Sequence, residues 1–413
     1  MTNSKLSKTL ILCVAAFSVT ACSTISDWFA DEEELEVRRL EPIVEQFVPQ
    51  EIWERDIGHG VDDYFSRLRP AVAYGKVYAA NRQGDVYALE QDTGNVVWER
   101  NFATFPNEGF FSGLSSLWSS GVSAKIAGGM TVVVDTLYFG TEDGYVYALN
   151  AQTGDTKWQS NVRGEVLAAP AVDSGIVVVS TGAGSLIGLN VTDGEEAWRY
   201  DNEVPPLSLR GISNPVAANG GAIVGTATGK LQVNIIDSGV IAWEAAVTTP
   251  SGATELERIV DIDSQPIVLG GSVYTISYDG TLASIELRSG RIVWKREYAS
   301  YQSVALQGNS LYVVDNNSNI YAIDRRNGVE LWSQGRLKSR NLTGAAPVDD
   351  YIVVGDEFGF LHWLDQSEGN IVARYELGDD DEDEGIYVTP VVDGNIVYAS
   401  TRDGVVAAIE IQP

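Results

Sequence analysis

One phrase recurs along this chain and sets what it can fold into. GDVYALEQDTGNVVW (Gly84 to Trp98) returns as GYVYALNAQTGDTKW (Gly144 to Trp158), GSLIGLNVTDGEEAW (Gly184 to Trp198), GKLQVNIIDSGVIAW (Gly229 to Trp243) and GTLASIELRSGRIVW (Gly280 to Trp294). SNIYAIDRRNGVELW (Ser318 to Trp332) is a sixth copy. GFLHWLDQSEGNIVA (Gly359 to Ala373) is a seventh with Ala in place of Trp, and GVVAAIEIQP from Gly404 is a shortened eighth. A repeat of roughly 40–50 residues holding several strands marks a solenoid or a propeller, because one unit cannot cover its own apolar faces and must stack on neighbours.

Each unit reads as four short strands. In the second unit the expected strands are a stretch before Met130, then TVVVDTLYFG, then YVYALN, then the segment around Trp158. Tyr145, Tyr147 and Leu149 alternate with Val146 and Ala148, the period-2 pattern of a strand covered on both faces. The TG, DG or SG pair marks the turn, where Gly takes φ > 0 without a Cβ clash. The eighth unit lacks its last strand, and EIWERDI around Trp53 resembles VVWERNF around Trp98 with no repeat before it. The expected fold is therefore all-β: an eight-bladed β-propeller of four-stranded antiparallel blades, closed by the N-terminal strand joining the C-terminal blade. Closure covers both open edges, which an open solenoid leaves bare. Trp53, Trp98, Trp158, Trp198, Trp243, Trp294 and Trp332 then share one structural docking position.

Length alone suggests two or three domains, but the repeat points to one, residues 46–413. Residues 1–21 read as a targeting leader: Lys5 and Lys8, then the apolar run LILCVAAFSVT, too short to span a bilayer as a helix. The leader ends in Val19-Thr20-Ala21-Cys22, which resembles a bacterial lipobox. That resemblance implies a mature chain starting at lipid-modified Cys22, and Ser23 after it implies the outer membrane. Residues 22–45 read as a flexible acidic tether reaching about 25–30 Å as a coil. Cys13 and Cys22 are the only two cysteines, so the body carries neither disulfide nor thiol. Formal charge is −29, and loss of Lys5 and Lys8 with the leader gives −31 (−29 − 2). Such an acidic chain is a poor partner for nucleic acid or anionic lipid.

No catalytic constellation stands out. His59 and His362 are far apart, and His362 alternates with apolar neighbours in FLHWL, as a packed strand residue does. No metal motif, P-loop or nucleophile elbow is present, and GAGS at Gly182 to Ser185 falls at a strand turn. The run Asp379 to Glu384 reads as a solvated loop or a weak Ca²⁺ site. No cofactor is expected. The informative departures are connectors. Asn101 to Lys125 carries Phe105, Phe110, Phe111, Leu117 and Trp118. EVPPLSLRGISNP (Glu203 to Pro215) joins blades three and four, and TTPSGATELERIVDIDSQP (Thr248 to Pro266) joins blades four and five. The last two lie on the same side of adjacent blades. Leu207, Leu209 and Arg210 look exposed, and Asp261 and Asp263 sit at strand alternation. Spacing leaves two readings open: a partner patch, or an Arg–Asp salt bridge between loops with the leucines tucked in.

The repeat resembles the tryptophan-docking motif of the pyrroloquinoline quinone dehydrogenases over nearly all the chain after Gln46. Those enzymes carry a vicinal disulfide that this body, without Cys, cannot form. A lipobox, an eight-fold quinoprotein-like ring, PPLSLRG and ERIVDID together resemble the BamB family, lipoproteins of the outer-membrane β-barrel assembly machinery (the BAM complex). The resemblance implies a non-enzymatic scaffold, lipid-anchored in the outer membrane and facing the periplasm. It would bind the POTRA domains of BamA and help outer-membrane proteins fold and insert. Separately, exposed strand edges are expected to offer unfolded precursors a place to pair by strand addition. It further implies that Leu207, Leu209, Arg210, Asp261 and Asp263 contact BamA. A carbohydrate- or peptidoglycan-binding propeller and a quinone-type dehydrogenase are the alternatives.

Overall fold

A computed structural model describes residues 39–104, 122–209, 211–378 and 384–412. The leader, Cys22 and most of the tether, with residues 105–121, Arg210 and Asp379–Asp383, lie outside the described residues. A compact unit begins at Ile43. Its strands, numbered β1 to β32 along the chain, form eight antiparallel four-stranded sheets. Blade one is β2 (Ala71–Ala73), β3 (Lys76–Ala80), β4 (Asp85–Glu90) and β5 (Val96–Asn101), and each following set of four makes the next blade. The eighth blade takes β30 (Val391–Asp393), β31 (Ile396–Ser400) and β32 (Val405–Glu410), and its fourth strand is β1 (Gln50–Asp56). Gln50 pairs with Glu410 and Asp56 with Val405, so the N-terminal strand closes the ring. The Gln91 side chain of blade one, donating to Asp393 of blade eight at 2.6 Å, locks the same seam.

The strand division within a unit differs from the expectation. TVVVDTLYFG is two strands, β6 (Thr131–Val133) and β7 (Thr136–Gly140), folded back at Val134–Asp135. Between β5 and Met130 the described residues carry isolated bridges, Thr104 to Val122 and Ile126 to Thr141, in place of a strand. The innermost strand of every blade is three residues long, because the blades converge on the axis and a longer strand would collide with its neighbours. Val134 holds φ = +57° in this turn, a region β-branched residues avoid.

The seven tryptophans do one job. Each indole Nε1–H donates to a backbone carbonyl of the next blade (Gln91, Ala151, Val191, Ile236, Leu287, Arg325 and Gln366) at 2.7 to 3.1 Å. Each ring lies on the turn glycine of that same neighbour: Gly94, Gly154, Gly194, Gly239, Gly290, Gly328 and Gly369. A Cβ at any of them would stand 2.4 to 2.9 Å from the ring. The TG…W spacing therefore encodes the seams between blades as well as the turns within them. Ala373 at the seventh position now has a reason. β32 and β1 come from opposite ends of the fold, so blade eight has no third-to-fourth-strand turn and no glycine for an indole to cover. Phe47, just before β1, occupies that seam, with ring centroids 4.8 Å from Tyr351 and 6.3 Å from Trp363.

Two further eight-fold features carry the sheets. A polar residue ahead of each third strand accepts the amide four residues on, at 2.7 to 3.2 Å: Asn81, Thr141, Thr181, Thr226, Ser277, Asp356 and Thr401 take the strand's first amide, and Asp315 takes that of Asn319, just before β24 (Ile320–Asp324). These side chains satisfy turn amides that burial would otherwise leave costly. A bulge then shifts the register of each fourth strand, between Ala88 and Leu89 in blade one and at the matching place in the others.

Candidate partner interface

The connectors 203–215 and 248–266 run between β13 (Glu196–Asp201) and β14 (Val216–Ala218), and between β17 (Ile241–Ala246) and β18 (Ile267–Leu269). The structure brings them together. The Leu209 amide donates to Asp261 Oδ1 at 3.2 Å, and the Ser213 hydroxyl donates to the Ser264 carbonyl at 2.9 Å. Gly211 sits against the second connector so closely that a Cβ would fall 1.9 Å from Asp263 Oδ2. Only Gly allows that approach.

The five sequence-derived residues divide. Leu207 stands 43% exposed on its loop. Leu209 is half-buried, one side against the second connector. Arg210 lies outside the described residues. Asp261 and Asp263 are not on a strand, as alternation suggested, but in the irregular run before β18. Both are buried, at 1% and 7% exposure. Alternation failed because the run bridges two blades by single bonds rather than joining a ladder: the Ile262 amide donates to the Thr226 carbonyl at 3.1 Å, and the Tyr278 amide donates to the Asp261 carbonyl at 2.8 Å. Asp261 Oδ2 is buried without a hydrogen bond. Burial, then the nearby Asp263 charge, pushes the Asp261 carboxyl up to about 7, with the Leu209 amide opposing. Burial also raises Asp263, and the Arg67 guanidinium opposes it. Among the described residues, the cation facing Asp263 is thus Arg67.

The acids are the floor of the site and the leucine loop is its surface. Two exposed apolar side chains on these connectors escaped sequence reading: Val204, 37% exposed, and Leu256, 72% exposed. Leu256 opens a single 3₁₀ turn, Leu256–Arg258, where Glu257 accepts the amides of Ala253 and Thr254 at 2.7 and 3.1 Å. Flanked by two glutamates in sequence, it shows no periodicity.

Another titratable cluster among the described residues is interior. His362, on β28 (Phe360–Asp365), shares Asp356 Oδ2 with Arg340, at 2.8 and 2.6 Å. All three are essentially inaccessible. Burial, opposed by the Asp356 hydrogen bond, lowers the His362 pKa. For Asp356, burial is outweighed by His362 and Arg340, which hold its carboxyl below the usual range. The arrangement packs blade seven, as FLHWL suggested. Among the described residues no group of His, Cys, Asp and Glu could hold a metal ion.

The family model described as outer membrane protein assembly factor BamB matches residues 115–334 and 325–412. The chain belongs to the BamB family. A protein of that name from Alteromonas naphthalenivorans is 60% identical over 95% of this chain and 94% of its own length. The one from Shewanella oneidensis is 40% identical over 95% of each, and the one from Escherichia coli 35% identical over 97% and 98%. The crystal structure of BamB from Moraxella catarrhalis superposes with a TM-score of 0.76 at 25% identity, covering 88% of this chain and all of that one. A quinohemoprotein alcohol dehydrogenase from Comamonas testosteroni gives 0.66 at 13% identity, a likeness of fold alone.

Proposed function

We propose that this chain is a non-enzymatic scaffold of the outer-membrane β-barrel assembly machinery. It docks on BamA through connectors 203–215 and 248–266, and is held at the outer membrane, on its periplasmic side, by a lipid on Cys22. Membership of a family named for outer membrane protein assembly supports the role. The observation that carries the docking surface is an exposed leucine on a loop whose base is fixed: Leu207 projects, while Leu209, Gly211 and Ser213 are tied to the buried Asp261–Ser264 run. A rigid loop presents an apolar anchor without the ordering cost a mobile one would incur on binding. Anchors of this kind carry most of an interface's affinity, and surrounding charge sets orientation. Attachment is assigned to the lipid on the ground of the Val19-Thr20-Ala21-Cys22 sequence after a basic, apolar leader.

The test is co-purification with BamA in mild detergent. Leu207→Ala, and Leu207→Ala with Arg210→Ala, are expected to weaken capture at least tenfold, about 1.4 kcal/mol or more. Circular dichroism and the unfolding midpoint should stay as in wild type. Undiminished capture of both variants would overturn the surface assignment. A mature protein lacking acyl mass on Cys22 would overturn the anchor.

A further inference from the structure

The segment between β1 and β2, residues 57–70, does not skirt the ring. Near its start it bonds to blades eight and one: Ile57 N to Gly404 O at 3.0 Å, Val61 N to Arg402 O at 3.0 Å, and Arg82 N to Gly60 O at 2.7 Å. Further on, the Ser66 hydroxyl and Arg67 amide both donate to Ala127 O before blade two, at 3.1 and 3.2 Å. The Tyr387 hydroxyl before blade eight donates back to Leu68 O at 2.7 Å. The Arg67 side chain reaches the opposite side of the ring, where Nη1 donates to Ile212 O at 3.2 Å and to Asp263 O at 2.5 Å. A strap bonded to blades eight, one, two, four and five crosses the ring axis.

The two carbonyls that Arg67 joins belong to the two connectors of the partner surface. Ile212 is three residues after Leu209, and Asp263 two after Asp261. One guanidinium nitrogen therefore joins both connectors, and the Leu209–Asp261 and Ser213–Ser264 bonds join them a second and a third time. A fixed charged donor suits this place, because burial leaves both carbonyls short of water and the Asp263 carboxyl lies beside the cation. We propose that Arg67 is a positioning residue for the partner surface, holding connectors 203–215 and 248–266 in one register so that Leu207 is presented. This rests on the docking surface assigned above and extends it to a residue that touches no partner.

The experiment compares the full chain with its Arg67→Met, Arg67→Lys and Leu207→Ala variants, binding each to the periplasmic domains of BamA and following amide hydrogen exchange. Arg67→Met is expected to weaken binding at least tenfold and to speed exchange of the Leu209 amide at least tenfold. Exchange across blade seven should not change. Arg67→Lys, which keeps the charge but reaches one carbonyl at a time, should fall between, and it carries the comparison if the Met variant does not fold. Wild-type binding by the Arg67 variants beside a weakened Leu207→Ala overturns the positioning role alone. Wild-type binding by Leu207→Ala overturns the docking surface, and with it the role built on it. Exchange that rises equally in every blade would make Arg67 a general support of the ring and also overturn the proposal.

Discussion

At the residue scale, Asp261 is the most exacting position. Its carboxylate is buried, accepts one amide and leaves its second oxygen without a partner. A folded-state pKa of about 7 against an ordinary carboxyl fixes the direction of the pH effect. Between roughly pH 4 and 7 the folded state keeps a proton that the unfolded chain releases, so this group's contribution falls as pH rises through that window. Below it both states are protonated and the group is neutral to stability; above 7 the full cost of burying the charge is present. Asp261→Asn keeps the acceptor for the Leu209 amide and removes the charge. Its stability advantage over wild type should be small near pH 4 and grow to at most about 4 kcal/mol by pH 8, from three pKa units at ~1.4 kcal/mol each. Urea midpoints of the two proteins at pH 4.5, 6 and 8 measure it, and a difference that does not vary with pH would rule out a raised Asp261.

At the element scale the unit of stability is the seam between blades. Trp243 covers Gly290, whose Cβ would stand 2.7 Å from the ring at φ = +71°. Trp243 is partly buried, so Trp243→Ala should cost about 2–4 kcal/mol, toward the lower end of large-to-small changes, and Gly290→Ala should cost a similar amount through clash and backbone strain. Because both act on one contact, the double variant should lose clearly less than the sum. Strict additivity in chemical denaturation would show that ring and glycine do not meet. The turns were readable in TG…W, and the repeat showed that each Trp needs a surface to cover; that the surface is the turn glycine of the next blade was decided by the stacking of the ring. The polar residue before each third strand was equally present in the sequence, as Thr, Ser, Asp or Asn four or, in blade six, five positions ahead. It was harder to see because four residue types serve one acceptor role. The split of TVVVDTLYFG was not readable, since Val-Asp at its middle carries no turn signal and the fold tolerates Val134 at positive φ there.

At the scale of the whole molecule, closure is the decisive event. β32 would be a bare edge without β1, and Trp53, which seals blade eight to blade one through Gln91, would be absent too. Removing residues 43–56 is therefore expected to give a chain that aggregates or unfolds in broad steps rather than one. Adding the peptide 43–56 in trans should restore a single sharp transition, followed by light scattering and circular dichroism. A truncated chain that stays monomeric and unfolds as wild type would show that blade eight stands on three strands.

The amino-acid sequence by itself determined the number of blades, the docking tryptophans, the closing strand and the two connectors that form the candidate surface. These follow from local periodicity and from spacings of ten to fifteen residues, which the chain repeats until only one architecture accommodates them. The tertiary structure decided which side of each connector faces water. It buried Asp261 and Asp263, left Leu207 exposed, uncovered Leu256, and drew Arg67 to carbonyls 145 and 196 residues away along the chain. Such contacts depend on where the ring returns upon itself, and no local pattern records a distance across its axis.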